Sequence, residues 1–259
     1  DGEVTLAGTQ TLTNKTLTAP KINEDVAVTS TATELNLLDG KAATNLALVG
    51  KQGGTNFTDS LLVGHSTTGT LNSAENNVGV GIGTLDSITS GDNNVAIGKN
   101  ALTALTTSSN NVAVGLSSAQ NLTTSAGGNT AFGNSSLYHN KTGTDNVAIG
   151  NSALQGASNQ SSSGGVALGA SALEAVTTGA NNIGIGKSAG DNITSGAGNV
   201  IIGSLDAGSA TGSRQLKIAG NDGSTTTTWI SGDSSANVVI GGTVTEYGGA
   251  SLTTTGKAL

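Results

Sequence analysis

Few side chains in this 259-residue chain have the types and spacing that chemistry requires. His65 and His139 stand far apart with no acidic cluster beside either, so neither a metal site nor a nucleophile–base pair is read there. The 17 carboxylates fall mostly in turns such as Gly91-Asp92 and Gly232-Asp233, and no pair stands at a spacing that argues for a glycosidase dyad. Without cysteine there are no disulfides and no thiolate ligands. The glycine-rich run GVGIG (79–83) is not followed by Lys-Ser or Lys-Thr in phosphate-binding register, and no Gly-Gly-x-Gly-x-Asp calcium coil occurs. Thr pairs at 106/107, 123/124 and 177/178 lack the strict T-x-T alternation of an ice-binding array. No catalytic residue, metal ligand or cofactor-binding residue is assigned. Trp229 is the one large rigid surface suited to stacking on a sugar ring, or else a plug over the end of a coil. Tyr138 and His139 join it as candidates for surface recognition, because they interrupt a repeat that also carries Phe132 where its relatives carry Ile or Val.

The elements that hold these residues follow from composition and period. Forty glycines and 2% aromatic residues leave little for an ordinary globular core, so the interior must be thin and filled by small or branched side chains. A charged fraction of 10% is too low for disorder maintained by self-repulsion. A net charge of −7 with no basic run argues against nucleic acid and anionic membrane surfaces as partners. No stretch approaches the roughly 20 apolar residues of a membrane span.

One motif, N-V-A-I-G, recurs through the middle of the chain. Its copies end at Gly83, Gly98, Gly115, Gly133, Gly150, Gly169, Gly186 and Gly203, at steps of 15, 17, 18, 17, 19, 17 and 17 residues. A degenerate LLVG ends at Gly64, and NVVIG ends at Gly241 after a gap. Within each copy two branched residues flank a small one, as Val95 and Ile97 flank Ala96 and Val147 and Ile149 flank Ala148; this is strand alternation. The branched pairs are expected to point inward, so that Asp at Ile149 would place an unpaired charge inside. The following glycine predicts a corner that needs positive φ or close backbone approach. A second apolar pair, three apart, follows at Leu85/Ile88, Leu102/Leu105, Ala119/Leu122, Leu154/Ala157 and Leu173/Val176, and Leu137/Asn140 breaks it.

Seventeen residues rich in Gly, Thr, Ser and Asn cannot hold two helices, so each unit predicts one turn of a parallel β-coil. The fold class is all-β. Stacking would align Asn94, Asn111, Asn129, Asn146, Asn182 and Asn199 into a ladder of amides, each donating to the next copy, unless these residues serve only as tight-turn formers. QLKI (215–218) and TTTTWI (225–230) read as antiparallel strands around Gly220-Asn221-Asp222-Gly223.

The units NNVAIGKNAL, DNVAIGNSAL and NNIGIGKSAG resemble the head repeats of the YadA-type trimeric autotransporter adhesins over residues 76 to 203, although the unit here is longer. That resemblance implies a trimeric, left-handed parallel β-roll. LAGTQTLTNKTLTAPKI (6–22) and TATELNLLDG (31–40) resemble segments of bacteriophage tail fibres, which often carry such rolls. The expected organisation is an extended fibre segment at 1–60, the roll at 61–208 and an incomplete C-terminal β segment at 209–259.

A lone roll of this composition buries little apolar area, which predicts association into a parallel homotrimer. A histidine on the threefold axis of such a trimer would be presented three times to an ion. The resemblance implies a non-catalytic fibre on a virion that mediates or presents host attachment. Its partners would be itself, other virion tail or fibre proteins, and a host surface glycan or protein receptor. The alternative is the head of a bacterial surface adhesin, which predicts stalk heptads and C-terminal membrane strands that this sequence does not contain.

Overall fold

The computed structural model describes residues 50–52, 54–64, 67–157 and 161–242, all within the unit running from Leu48 to Leu259. The expected segment at 1–60 falls mostly outside them, and His65 lies outside them too. Fifteen strands follow one another: β1 (Gly50–Gln52), β2 (Phe57–Thr58), β3 (Leu61–Val63), β4 (Ala74–Glu75), β5 (Val78–Val80), β6 (Val95–Ile97), β7 (Val112–Val114), β8 (Thr130–Phe132), β9 (Val147–Ile149), β10 (Val166–Leu168), β11 (Ile183–Ile185), β12 (Val200–Ile202), β13 (Leu216–Asn221), β14 (Thr226–Gly232) and β15 (Val238–Ile240). Thirteen of them form one sheet, parallel from β3 through β5 to β13 and closed by antiparallel pairings of β1 on β3, β14 on β13 and β15 on β14. The hairpin expected from QLKI and TTTTWI is therefore present, and its first strand continues the parallel stack.

Each coil closes through a corner whose backbone only certain residues accept. Gly98 has φ +123°, and a Cβ there would lie 2.5 Å from the carbonyl oxygen of Gly115 in the next coil. Both reasons for the glycine hold at once. Two further residues on alternate positions also take positive φ, Asn100 at 61° and Leu102 at 51°. Ser117 and Ala119, Ser135 and Leu137, Ser152 and Leu154, and Ser171 and Leu173 repeat the pattern in the coils that follow.

This corner corrects the frame of the first full copy. Val78 pairs with Val95 and Val80 with Ile97, so the counterpart of Gly98 is Gly81, and Gly83 is the counterpart of Asn100. A G-x-G-x-G run offers two equivalent frames, and Asn77, which occupies the ladder position, selects the earlier one.

The facing of the strands is the opposite of the expectation. Ala96, Ala113, Ala131, Ala148 and Ala167 are fully buried, while Val95 and Val147 are half-buried and Ile97 and Ile149 are exposed. The interior is filled from the turn segment instead: Leu85, Ile88, Leu102, Leu105, Leu122, Leu137, Leu173 and Val176 are all buried. A coil this thin has room for a long side chain from one wall only, so the opposite wall must be alanine or glycine. Near the ends of the stack the rule gives way, and Leu62 and Ile201 take the alanine position. The strand residue one coil inward is glycine in both cases: a Cβ on Gly79 would meet Leu62 and one on Gly184 would meet Leu173, while one on Gly190 would meet Ile193 and Ile201. Ala157 departs from the second apolar pair and is exposed.

The asparagine ladder is real. Asn94 Nδ2 donates to Asn77 Oδ1 at 3.0 Å, Asn111 to Asn94 at 3.1 Å, Asn129 to Asn111 at 3.1 Å and Asn146 to Asn129 at 3.0 Å. Each amide donates to the preceding side chain, and most also donate to a main-chain carbonyl one coil on, as Asn94 does to Ser108. Gly165 interrupts the ladder, which resumes from Asn182 through Asn199 to Gln215. Turn formation falls to the preceding position, where Asn93, Asn110, Asp145 and Asn181 take positive φ.

Candidate functional site

Reversed facing turns the branched residues into a surface. The pairings carry one uninterrupted apolar row over 12 strands, from Val63 through Val80, Ile97, Val114, Phe132, Ile149, Leu168, Ile185 and Ile202 to Ile218, Ile230 and Ile240. Beside it runs a second row containing Val78, Val95, Val112, Thr130, Val147 and Val166. Ile97, Phe132 and Ile149 are 41%, 42% and 43% exposed. Eleven steps of about 4.8 Å make the first row roughly 50 Å long.

The row outlasts the coil. In β13 and β14 the inward position passes from Ile201 to Lys217 and Ser231, because no coil interior remains beneath them. The outward position stays isoleucine through Ile218, Ile230 and Ile240. On β13 and β14 apolarity is thus kept on the outer face and dropped on the inner one, and on β15 valine returns to the inner position at Val239.

The residues singled out for recognition do not converge. Tyr138 and His139 meet edge to face with ring centroids 4.5 Å apart, both half-buried on the coil that bears β8. Trp229 lies on β14 of the hairpin, six strand steps further along the stack. It is the extra residue of a bulge, since Ile218 pairs with Ile230 and Ala219 with Thr228. Its ring lies over Gly220, where a Cβ would come within 2.6 Å of it. Trp229 therefore covers hairpin backbone and takes no part in the buried cluster of the coil.

Beside it is an open hollow of about 460 Å³ lined by Gly220, Asn221, Asp222, Thr225, Thr227 and Trp229. The polar groups there are engaged in the turn. Asp222 Oδ1 accepts the Thr225 and Ser224 N–H groups at 2.7 and 2.9 Å, which holds its carboxyl below the usual value. Asn221 accepts from the Gly223 N–H and donates to Thr226. Of the Thr pairs, Thr123 Oγ1 donates to the Lys141 carbonyl and Thr177 Oγ1 to the Thr194 carbonyl, while the Thr106 hydroxyl is buried without a partner among the described residues. Among the described residues no group of three or more His, Asp or Glu is placed to hold a metal ion.

The outer face escaped the sequence reading because V-A-I alternation is symmetrical with respect to which side is buried. The available signal was the middle residue, which is small in every copy from β5 to β11.

These features define a parallel β-solenoid repeat protein of about nine turns, ending in antiparallel strands. No family model matches the chain, and neither the curated proteins nor the solved structures include a significant match.

Proposed function

We propose that the chain is a non-catalytic structural fibre protein of a virion, working as a parallel homotrimer that mediates or presents host attachment. The observation that carries the self-association is the apolar row that continues across 12 strands and past the end of the coil. Rows turned toward a common threefold axis bring like residues of three copies together at each level, and closed symmetry leaves no apolar edge for further growth. Left-handed winding belongs to the same reading, through the resemblance of residues 76–203 to YadA-type heads. The virion assignment rests on the likeness of residues 6–22 and 31–40 to tail-fibre segments.

Attachment in this reading draws on many weak contacts across chains and fibres, where avidity can add about 10²- to 10⁴-fold without a strong single site. Two measurements test it. Light scattering on the purified chain is expected to give three times the 25.0 kDa chain mass, and a single-chain mass would refute the assembly. Imaging with an antibody against residues 76–203 is expected to label a thin phage appendage. Label on a bacterial envelope would transfer the assignment to an adhesin, and release of sugars from host glycans by the purified protein would overturn the non-catalytic role.

A further inference from the structure

We propose that Thr130 and Phe132 set the axial register in which copies of this chain pack through the outer face. The inference rests on the self-association reading above and names the partner as a second, parallel copy of the same chain.

A periodic face has a register problem. From β3 to β12 every parallel pairing joins three residues to three with no shift, although the units differ in length. The extra residues are taken up in the turns and never reach the strands. The face therefore repeats at every coil, about 4.8 Å along the stack. A copy displaced by one coil would set valine and isoleucine against valine and isoleucine, with nearly the same burial. Uniform rows of this kind specify register weakly.

One level is different. On β8 the first row carries Phe132 between Val114 and Ile149, and the second carries Thr130 between Val112 and Val147. Phe132 is the single aromatic residue and Thr130 the single polar one in the two outer rows from β3 to β13. Neither serves the coil's own interior, which Ala131 faces at that level. The Phe132 ring is 42% exposed, and no described residue hydrogen-bonds the Thr130 hydroxyl.

With copies in register, the bulky rings meet at one level and the Thr130 hydroxyls come within reach of one another. A one-coil slip drives each ring into the Val114 or Ile149 level of its neighbour and leaves a void at its own. It also sets a hydroxyl against valine. Overpacking, void and an unpaired hydroxyl all disfavour the slipped state. β8 is fifth of the ten strands from β3 to β13 in the parallel stack, so this level lies near the middle of the face.

The chain has no cysteine of its own, which makes crosslink mapping clean. Full-length chains carrying Ile97→Cys with a size tag are co-refolded with untagged chains carrying Val114→Cys, then mildly oxidised. An axial offset of about 4.8 Å exceeds the usual Cβ–Cβ span of a disulfide, so tagged–untagged products report slipped packing. Same-position links alone are expected. In a Thr130→Val/Phe132→Ile background, which copies Val147 and Ile149 of the next coil, cross-position links are expected to rise by about tenfold or more with the thermal melt little changed. Adding Val147→Thr/Ile149→Phe moves the odd level by one coil and is expected to restore same-position links alone. Equal cross-position links in both backgrounds would overturn the register assignment while leaving self-association standing. A chain that sediments singly and forms no links in any background would overturn both.

Discussion

The Oδ1 atom of Asn77 accepts two hydrogen bonds from Asn94, one from its backbone N–H at 3.0 Å and one from its side-chain Nδ2 at 3.0 Å. A buried amide thus does for the side-chain column what a strand residue does for the backbone ladder: it takes two donors from one side and donates to the other. Because Asn111 repeats the arrangement on Asn94, and Asn129 on Asn111, loss of one side chain removes hydrogen bonds to the coils on both sides and leaves a buried N–H of the next coil without its acceptor.

Asn111→Ala removes the acceptor for two Asn129 donors and the donor to Asn94. Stranding buried polar groups costs about 1–3 kcal/mol each, so a loss of roughly 2–4 kcal/mol is expected in chemical denaturation, larger than for alanine at an exposed asparagine. Gly165→Asn is expected to act the other way and raise the unfolding midpoint by joining the two ladder runs. Its Cβ would sit 3.1 Å from the flexible end of Leu154, a position whose counterpart Leu102 already accommodates Asn94 and Asn111.

Gly98→Ala sets a Cβ 2.5 Å from the Gly115 carbonyl oxygen at φ +123°. Backbone meets backbone there, so no side-chain rotation relieves it. A cost of about 3 kcal/mol or more is expected, read as a lowered melting temperature or as failure to accumulate folded chain.

Ala148→Asp and Ile149→Asp are neighbours in sequence with opposite expected outcomes. Ala148 is fully buried, and an unpaired carboxylate there is expected to cost at least about 3 kcal/mol and abolish the fold. Ile149 lies on the outer face, so its substitution is expected to leave the circular dichroism of the chain unchanged and shift the mass by light scattering toward 25.0 kDa.

Asp191 tests the charge balance of the coil. Partial burial, and then a hydrogen bond with Asp206, raise its pKa above the ordinary 3.8. The folded state therefore holds a proton more tightly than the unfolded one, so this group favours folding in acid and loses that contribution as pH rises through the raised value. Asp191→Asn is expected to flatten that part of the stability–pH curve and raise the midpoint at neutral pH; a curve identical to that of the natural chain would refute the assignment.

How far the sequence could be read depended on whether a pattern was symmetrical. Glycine at the corner admits one physical meaning, and Gly98 has the positive φ and the close approach that its recurrence implied. The Gly220–Gly223 turn between two β-rich runs likewise led to β13 and β14. The V-A-I triplet is ambiguous because either side of a strand can be the buried one. The choice was made by Leu102 and Leu105, which reach across from the turn and leave space only for Ala96. GVGIG was ambiguous for a similar reason, having two frames that differ by two residues. The outer face as a surface was legible only once those two choices had been made.

The hydrogen bonds between coils have a mechanical consequence. Val95 donates to Asn111, Leu102 to Ser118, Asn110 to Asp92 and Gly115 to Ile97, all from one coil to the next around the perimeter. A pull along the stack loads these bonds together, so no coil can yield until its whole rim gives way. Each rupture then releases one coil's length of chain, 17 to 19 residues from Gly98 onward to Gly203. At roughly 3.5 Å per extended residue that is about 60 Å of slack. A solenoid built this way is a stepwise extensible tether, stiff below its threshold force and lengthening in even increments above it.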